Sequence, residues 1–236
     1  TFMRSERKRI EPPSASIISI GSAESRVGKS IFGLNLAAVL QNETDDEVCL
    51  VDFSDRPSGT LDVSVITEPD ADIDWFHKAR EDHPVDYPVF SANFPQTVSE
   101  GAIRAFLGTL TDEVLYVVVV LPSGYNPVIQ KILASSDSVY FLTTDAEEAI
   151  YETELLLNQV RKDLDVEDGS LEVVLNQSTV KTSVHRHKIA DQLGVRVEHQ
   201  LPRIEDDYVD TFETETPYVL RNPDHPYSQV TRRVAH

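Results

Sequence analysis

Apolar residues along the chain follow two alternating rhythms. Short runs rich in β-branched residues at 15–21 (ASIISIG), 48–53 (VCLVDF), 88–93 (PVFSAN), 114–122 (VLYVVVVLP), 138–144 (SVYFLTT), 171–177 (LEVVLNQ) and 195–202 (VRVEHQLP) read as strands. Between them, segments 29–41, 97–110, 126–135, 146–162 and 184–193 carry apolar residues at helical spacing. A further helix is expected around Trp75 and Phe76 within 70–82, and helical segments close the chain. The run 114–122 shows no polar alternation, so both of its faces should be buried, as in a central parallel strand. Strands alternating with helices imply right-handed crossovers. The expected fold is therefore α/β, a mostly parallel central sheet of about seven strands with helices on both faces. Ligands in such sheets bind at the carboxyl ends of the strands.

With 236 residues the chain can bury a sizeable core yet stays within the range of one α/β domain. No linker or repeat divides it. Residues 1–14 (TFMRSERKRIEPPS) are expected to be a flexible basic lead-in, a junction to something preceding it, and 15–236 a single domain. A start without Met suits a fragment or a trimmed product.

Charge narrows the partners. The formal net charge is -19, and residues 43–86 hold 14 acidic against 3 basic side chains, or -11. Such a surface repels polyphosphate, so nucleic acid is not expected as the main partner, and its plainest role is a solvated face. The one cysteine, Cys49, sits in an apolar run and is expected to be buried and inert. It excludes an intrachain disulfide and a Cys-only cluster, in keeping with a reducing, cytoplasmic setting. His185 and His187 would point to different faces of a helix, so no zinc site is expected. No apolar run approaches the roughly 18 residues of a membrane span. The ending QVTRRVAH has too little apolar surface for an amphipathic anchor, so direct membrane insertion is not expected.

Directly after the first strand stands AESRVGKS (23–30), followed by the first helix. In the phosphate-loop pattern GxxxxGK(S/T), backbone N–H groups and the helix N-terminus cradle phosphates, the lysine meets their outer oxygens, and the hydroxyl holds Mg²⁺. Gly28, Lys29 and Ser30 fill the last three positions, whereas Ala23 replaces the first glycine, a mild departure because a methyl group hinders positive φ. An ordinary strand-to-helix turn is the competing reading. Binding of ATP or ADP with Mg²⁺ is expected to involve Ser25, Arg26, Val27, Gly28, Lys29, Ser30 and Ile31.

The segment RVGKSIFGLNLAAVL resembles the deviant phosphate loop of the MinD/ParA superfamily, KGGVGKT followed by a helix containing Asn-Leu-Ala. Lys29 and Ser30 match the final lysine and hydroxyl, and Asn35 the helix asparagine. Glu24 falls where the family carries its signature lysine, which reaches the partner's phosphates across a nucleotide-sandwich dimer. VCLVDFSD (48–55) is similar to the switch I strand. Its Asp52 matches the first acidic residue, a Mg²⁺ ligand and weak catalytic candidate, while Ser54 stands where a second Asp supports water activation. VVVVLPSGYNP resembles the family's VIVDLPPG strand with Val120 in the aspartate position, and VVLNQ (173–177) puts Asn176 where the family reads adenine. The closing segment and the LPSGYNP turn are similar to the CpaE/TadZ branch, whose members position pilus secretion machinery and often carry a preceding receiver-like domain.

Together these matches imply a cytoplasmic positioning or scaffold protein, a homodimer with protein partners in a secretion or pilus apparatus, recruited to the pole or inner membrane face through them. Hydrolysis depends on Mg²⁺, cations and an oriented nucleophile. With Glu24, Ser54 and Val120 in place of charged or acidic groups, turnover is expected to be weak or absent. Arg26 and Asp55 are the residues that could compensate, which keeps open an active ATPase switch cycling between monomer and dimer. Iron-carrier relatives use paired cysteines, so no Fe-S cluster is expected here. Tyr125 and Asn126 should lie near the nucleotide mouth, if only as turn and helix cap. Ile150, Leu155, Leu156, Leu157 and Val160 should form a core stripe, with a partner-helix face as the alternative.

Overall fold

A computed structural model describes residues 14–44, 47–53, 76, 87–91, 98–164, 170–176, 186–204 and 216–235. The described elements are β1 (Ser16–Gly21), α1 (Lys29–Thr44), β2 (Val48–Asp52), β3 (Val89–Ser91), α2 (Glu100–Glu113), β4 (Tyr116–Val120) and α3 (Pro127–Leu133). They continue with β5 (Ser138–Thr144), α4 (Glu147–Asp163), β6 (Leu171–Asn176), α5 (Arg186–Leu193), β7 (Arg196–Leu201), α6 (Tyr218–Arg221) and α7 (Pro226–Ala235). The seven strands form one sheet in the order β3-β2-β4-β1-β5-β6-β7, with every pairing parallel. This is the α/β architecture that the alternating pattern predicts.

Each face of the sheet carries its own core. Side chains alternate across a strand, so Val117 and Val119 of β4 join one core with residues of α2, α3, α4 and α5. Val118 and Val120 join the other, beneath α1, α6 and α7. Val117 to Val120 are all fully buried, which explains why this run lacks polar alternation. Helix α1 is apolar around much of its circumference because it lies between the sheet and the closing helices.

Local chemistry fixes the helix starts. The Ser99 hydroxyl accepts from the Ala102 amide, with Glu100 in the first turn of α2. Asn126 accepts from the amides of Val128 and Ile129, and Pro127 occupies the first position of α3.

Two expectations change. The run 114–122 contributes only Tyr116–Val120 to the sheet, since Val114 caps α2 and Leu121 begins the next loop. Leu155 is not part of the buried stripe: Ile150, Leu156, Leu157 and Val160 are core, whereas Leu155 is 44% exposed. The turn of about 100° per residue takes it out of line with them. Of the helix expected at 70–82, only Phe76 is described; it is helical and buried, with its ring 5.4 Å from that of Phe90. Most of the lead-in lies outside the described residues, as do Ser54, Asp55, Trp75, Gln177 and His185.

Candidate functional site: a phosphate loop between β1 and α1

Strand β1 is central, paired with β4 and β5, and its carboxyl end delivers the chain into the loop 22–28. A Cβ at Gly21 would lie 2.7 Å from the Phe141 ring, so any larger residue there would have to displace that buried ring. Gly28 has φ +95°, and a Cβ on it would stand 2.6 Å from Nδ2 of Asn176. That amide donates to the Val27 carbonyl at 2.9 Å, so the carboxyl end of β6 braces the loop. Arg26 holds φ 63°, the one left-handed non-glycine among the described residues, and its side chain is exposed. Such a conformation costs about 1–2 kcal/mol. Ala23 adopts no left-handed φ, so its methyl group imposes no such strain.

Lys29 opens α1 with only 6% of its surface exposed. Its ammonium donates to the hydroxyl of Ser22, to the hydroxyl of Ser123 at 2.9 Å and to the Glu24 carbonyl at 3.5 Å. These three acceptors are neutral oxygens, and the N-terminus of α1 adds a positive dipole beside the ammonium. Ser22 in turn donates to the Glu24 carbonyl. The turn after β4 is fastened to the same loop, because Leu121 N–H donates to the Ile20 carbonyl at 2.8 Å and Gly124 N–H to that of Ser22 at 2.9 Å. Ser22 and Ser123 are site residues that the motif pattern does not single out. The only sequence signals were their positions, one just before the loop and one in the LPSGYNP turn.

Asp52 and Val120 are register partners at the carboxyl ends of β2 and β4. Asp52 is half-buried, whereas Val120 is fully buried in the core beneath α1. A Cβ at Gly33 would lie 2.4 Å from Cγ2 of Val120, so α1 rests directly on the valine. Ser30 is half-buried at the start of α1, and Val27 and Ile31 are buried. Glu24 is half-buried and Ser25 exposed.

Asn35 is fully buried and faces away from the loop. Its Nδ2 donates to the Ile31 carbonyl at 2.7 Å, and its Oδ1 accepts from the Val219 amide at 2.9 Å, joining α1 to α6. Asn126 serves as the helix cap described above. Tyr125 packs on the core of the α2–α5 face, where burial and the charge of Asp163 push its phenol up to about 12.

For a phosphate, the donor set fits: a buried ammonium, a helix N-terminus and a loop opened by a positive-φ glycine. For Mg²⁺ the fit is partial. Ser30 and Asp52 would hold the ion with a hydroxyl and one carboxylate, while Val120, the register partner of Asp52, adds no oxygen.

No family profile and no curated protein matches the chain, but solved structures do. A ParA family ATPase from Chlorobium tepidum superposes with a TM-score of 0.77 at 17% identity, covering 95% of this chain and 98% of that one. The MinC:MinD complex of Aquifex aeolicus gives 0.75 at 16%, covering 94% of each chain. MinD of Pyrococcus horikoshii, complexed with Mg-ADP, gives 0.62 at 17%, again covering 94% of each. The fold is that of the MinD/ParA ATPases. At such identities the likeness speaks for the MinD/ParA fold and not for an activity. No helix among the described residues is long and apolar enough to cross a membrane.

Proposed function

We propose that the chain binds ATP or ADP in the loop spanning Ser25 to Ile31 and acts as a spatial-positioning or scaffold protein whose hydrolysis is weak or absent. The observation that carries this reading is the contrast at one pocket. Lys29 is buried and held at the mouth of the loop, while Val120 seals the neighbouring strand end against Gly33. Mg²⁺ neutralises charge on a transferring phosphoryl group when it is bound, and this chain provides Ser30 and Asp52 toward it. Glu24 adds negative charge beside a triphosphate, and the loss of one charge-stabilising group lowers such rates by roughly 10²–10³-fold. Asn176 remains the candidate for the adenine base, using the part of its amide not engaged by Val27.

The likeness to MinD with Mg-ADP and to a Borrelia burgdorferi plasmid partition protein bound to AMPPNP supports nucleotide as the ligand. Within the reading, the protein is a homodimer in the cytoplasm, recruited to a pole or the inner membrane face by protein partners in a pilus or secretion apparatus, as in the CpaE/TadZ branch. DNA is not its main partner. One structure of the same fold, pNOB8 ParA, is bound to nonspecific DNA, but this chain carries a net charge of -19.

A second reading, a working ATPase switch, draws support from Arg26, an exposed cation at the crest of the loop. Titration calorimetry with ATP and ADP, with and without Mg²⁺, together with phosphate release and light scattering, separates the two. The scaffold reading expects binding without turnover, lost in Lys29→Ala. Rapid phosphate release abolished by Lys29→Ala establishes the switch instead, and no binding by the wild type means that the loop is vestigial.

A further inference from the structure

A second cluster lies on the face that α7 covers, toward the amino end of β6. Asn176, which braces the phosphate loop, is four residues farther along that strand than Glu172, or about 13 Å. Glu172 of β6 and Glu198 and His199 of β7 each bring a ligand-type atom within 4.8 Å of the other two. Neighbouring residues on a regular strand point to opposite faces, so Glu198 and His199 should diverge. Here the register slips between the Glu172–Arg196 and Val174–His199 pairs. The extra residue bulges β7 and allows both side chains to reach Glu172.

Glu172 is the half-buried carboxylate at the centre of the cluster, and one of its oxygens is left over. Oε1 of Glu172 is buried without a hydrogen-bond partner. Nε2 of His199 is 3.6 Å away, too long for a hydrogen bond. It is close to the edge of about 3.4 Å between two ligands of one tetrahedral ion with bonds of roughly 2.1 Å. Tyr140, the register partner of Glu172 on β5, donates to the Val234 carbonyl instead.

Arg186, Arg196 and Arg233 border the cluster. Arg196 meets an exposed Glu198 at 3.9 Å, an arrangement worth little in water, so Glu198 is free to turn inward.

We propose that Glu172, Glu198 and His199 form a three-ligand site for a zinc-type divalent ion that pins the edge strand β7 to β6. One imidazole with two carboxylates suits this ion class, whereas Ca²⁺ and Mg²⁺ prefer shells of oxygen alone. A fourth position would remain for water. The site stands apart from nucleotide binding.

The test uses tag-free protein titrated with Co²⁺ and then with Zn²⁺. The expected result is one Co²⁺ per chain with the visible bands of a four-coordinate ion, displaced by Zn²⁺ and unaffected by Lys29→Ala. Loss of a group that merely orients a ligand weakens binding by about 10–100-fold, so Glu172→Gln and His199→Gln should each weaken it at least about tenfold. Zn²⁺ should raise the melting temperature of the wild type and not of these variants. Glu198→Gln, at an exposed position, serves as the ligand deletion should the half-buried variants fail to fold. Absence of the visible bands, or Co²⁺ affinity unchanged in the folded ligand variants, overturns the proposal.

Discussion

Gly33→Ala tests the packing of α1 against Val120 beside the phosphate loop. The added Cβ would lie 2.4 Å from Cγ2 of Val120, well over 1 Å inside an ordinary carbon contact of about 3.5–4.0 Å. Val120 is fully buried on a strand paired along both edges, so it has little room to retreat. Overpacking of this kind costs about 1–3 kcal/mol, offset by up to about 1 kcal/mol of helix propensity. Val120→Ala alone removes two buried methyl-sized groups at ~0.8 kcal/mol each, and with a cavity contribution costs about 2–3 kcal/mol.

In the double variant the new Cβ occupies the space that the valine methyl vacates, and the clash disappears. The pair should then be no less stable than Val120→Ala, giving a coupling energy of about 1–3 kcal/mol. Equilibrium unfolding in denaturant measures all four corners of the cycle, and each kcal/mol should shift Tm by about 2–4 °C for a chain of this size. Additivity within about 0.5 kcal/mol would show that α1 does not rest on Val120 and refute the packing argument.

Asn35→Ala leaves the buried Val219 amide without its acceptor, at about 1–3 kcal/mol; hydrogen exchange at 216–235 should accelerate, and unchanged exchange refutes the tie between α1 and α6. Burial holds the Cys49 thiol well above its ordinary pKa, so a thiol-reactive disulfide should modify it only at the rate of unfolding; a fast native-state burst contradicts this. Leu157→Ala should cost about 2–5 kcal/mol, whereas Leu155→Ala should stay within about 0.5, and equal effects would contradict the assigned face of α4.

What could be read from the chain depended on whether the signal was local. The run 116–120 announces its burial because both faces and both edges of β4 are covered, which excludes polar residues from it. The GKS sequence after a strand and before a helix likewise places the loop. Ser22 and Ser123 were missed because their meeting at Lys29 depends on the pairing of β1 with β4. The valine at position 120 was visible as a substitution, but the close approach of Gly33 that locks it in place was not. The Glu172–His199 contact was hidden further, since it depends on a bulge that strand alternation does not foresee.

Helix α1 links the two ends of the proposed function. Its first residue joins the loops after β1 and β4 through Ser22 and Ser123, and Asn35, two turns farther on, holds the amide of Val219. Phosphate oxygens arriving in the loop would compete with Ser123 for the Lys29 ammonium, so occupancy bears directly on how tightly the β4 turn is held. The same helix anchors the C-terminal segment, so a shift of α1 is felt there as well. A ligand displaces such an equilibrium only by its difference in affinity for the two arrangements, and bond cleavage contributes nothing to that difference. Under the proposed function, a valine at position 120 would leave this coupling of loop and C-terminal segment intact, whereas loss of Lys29 would remove it.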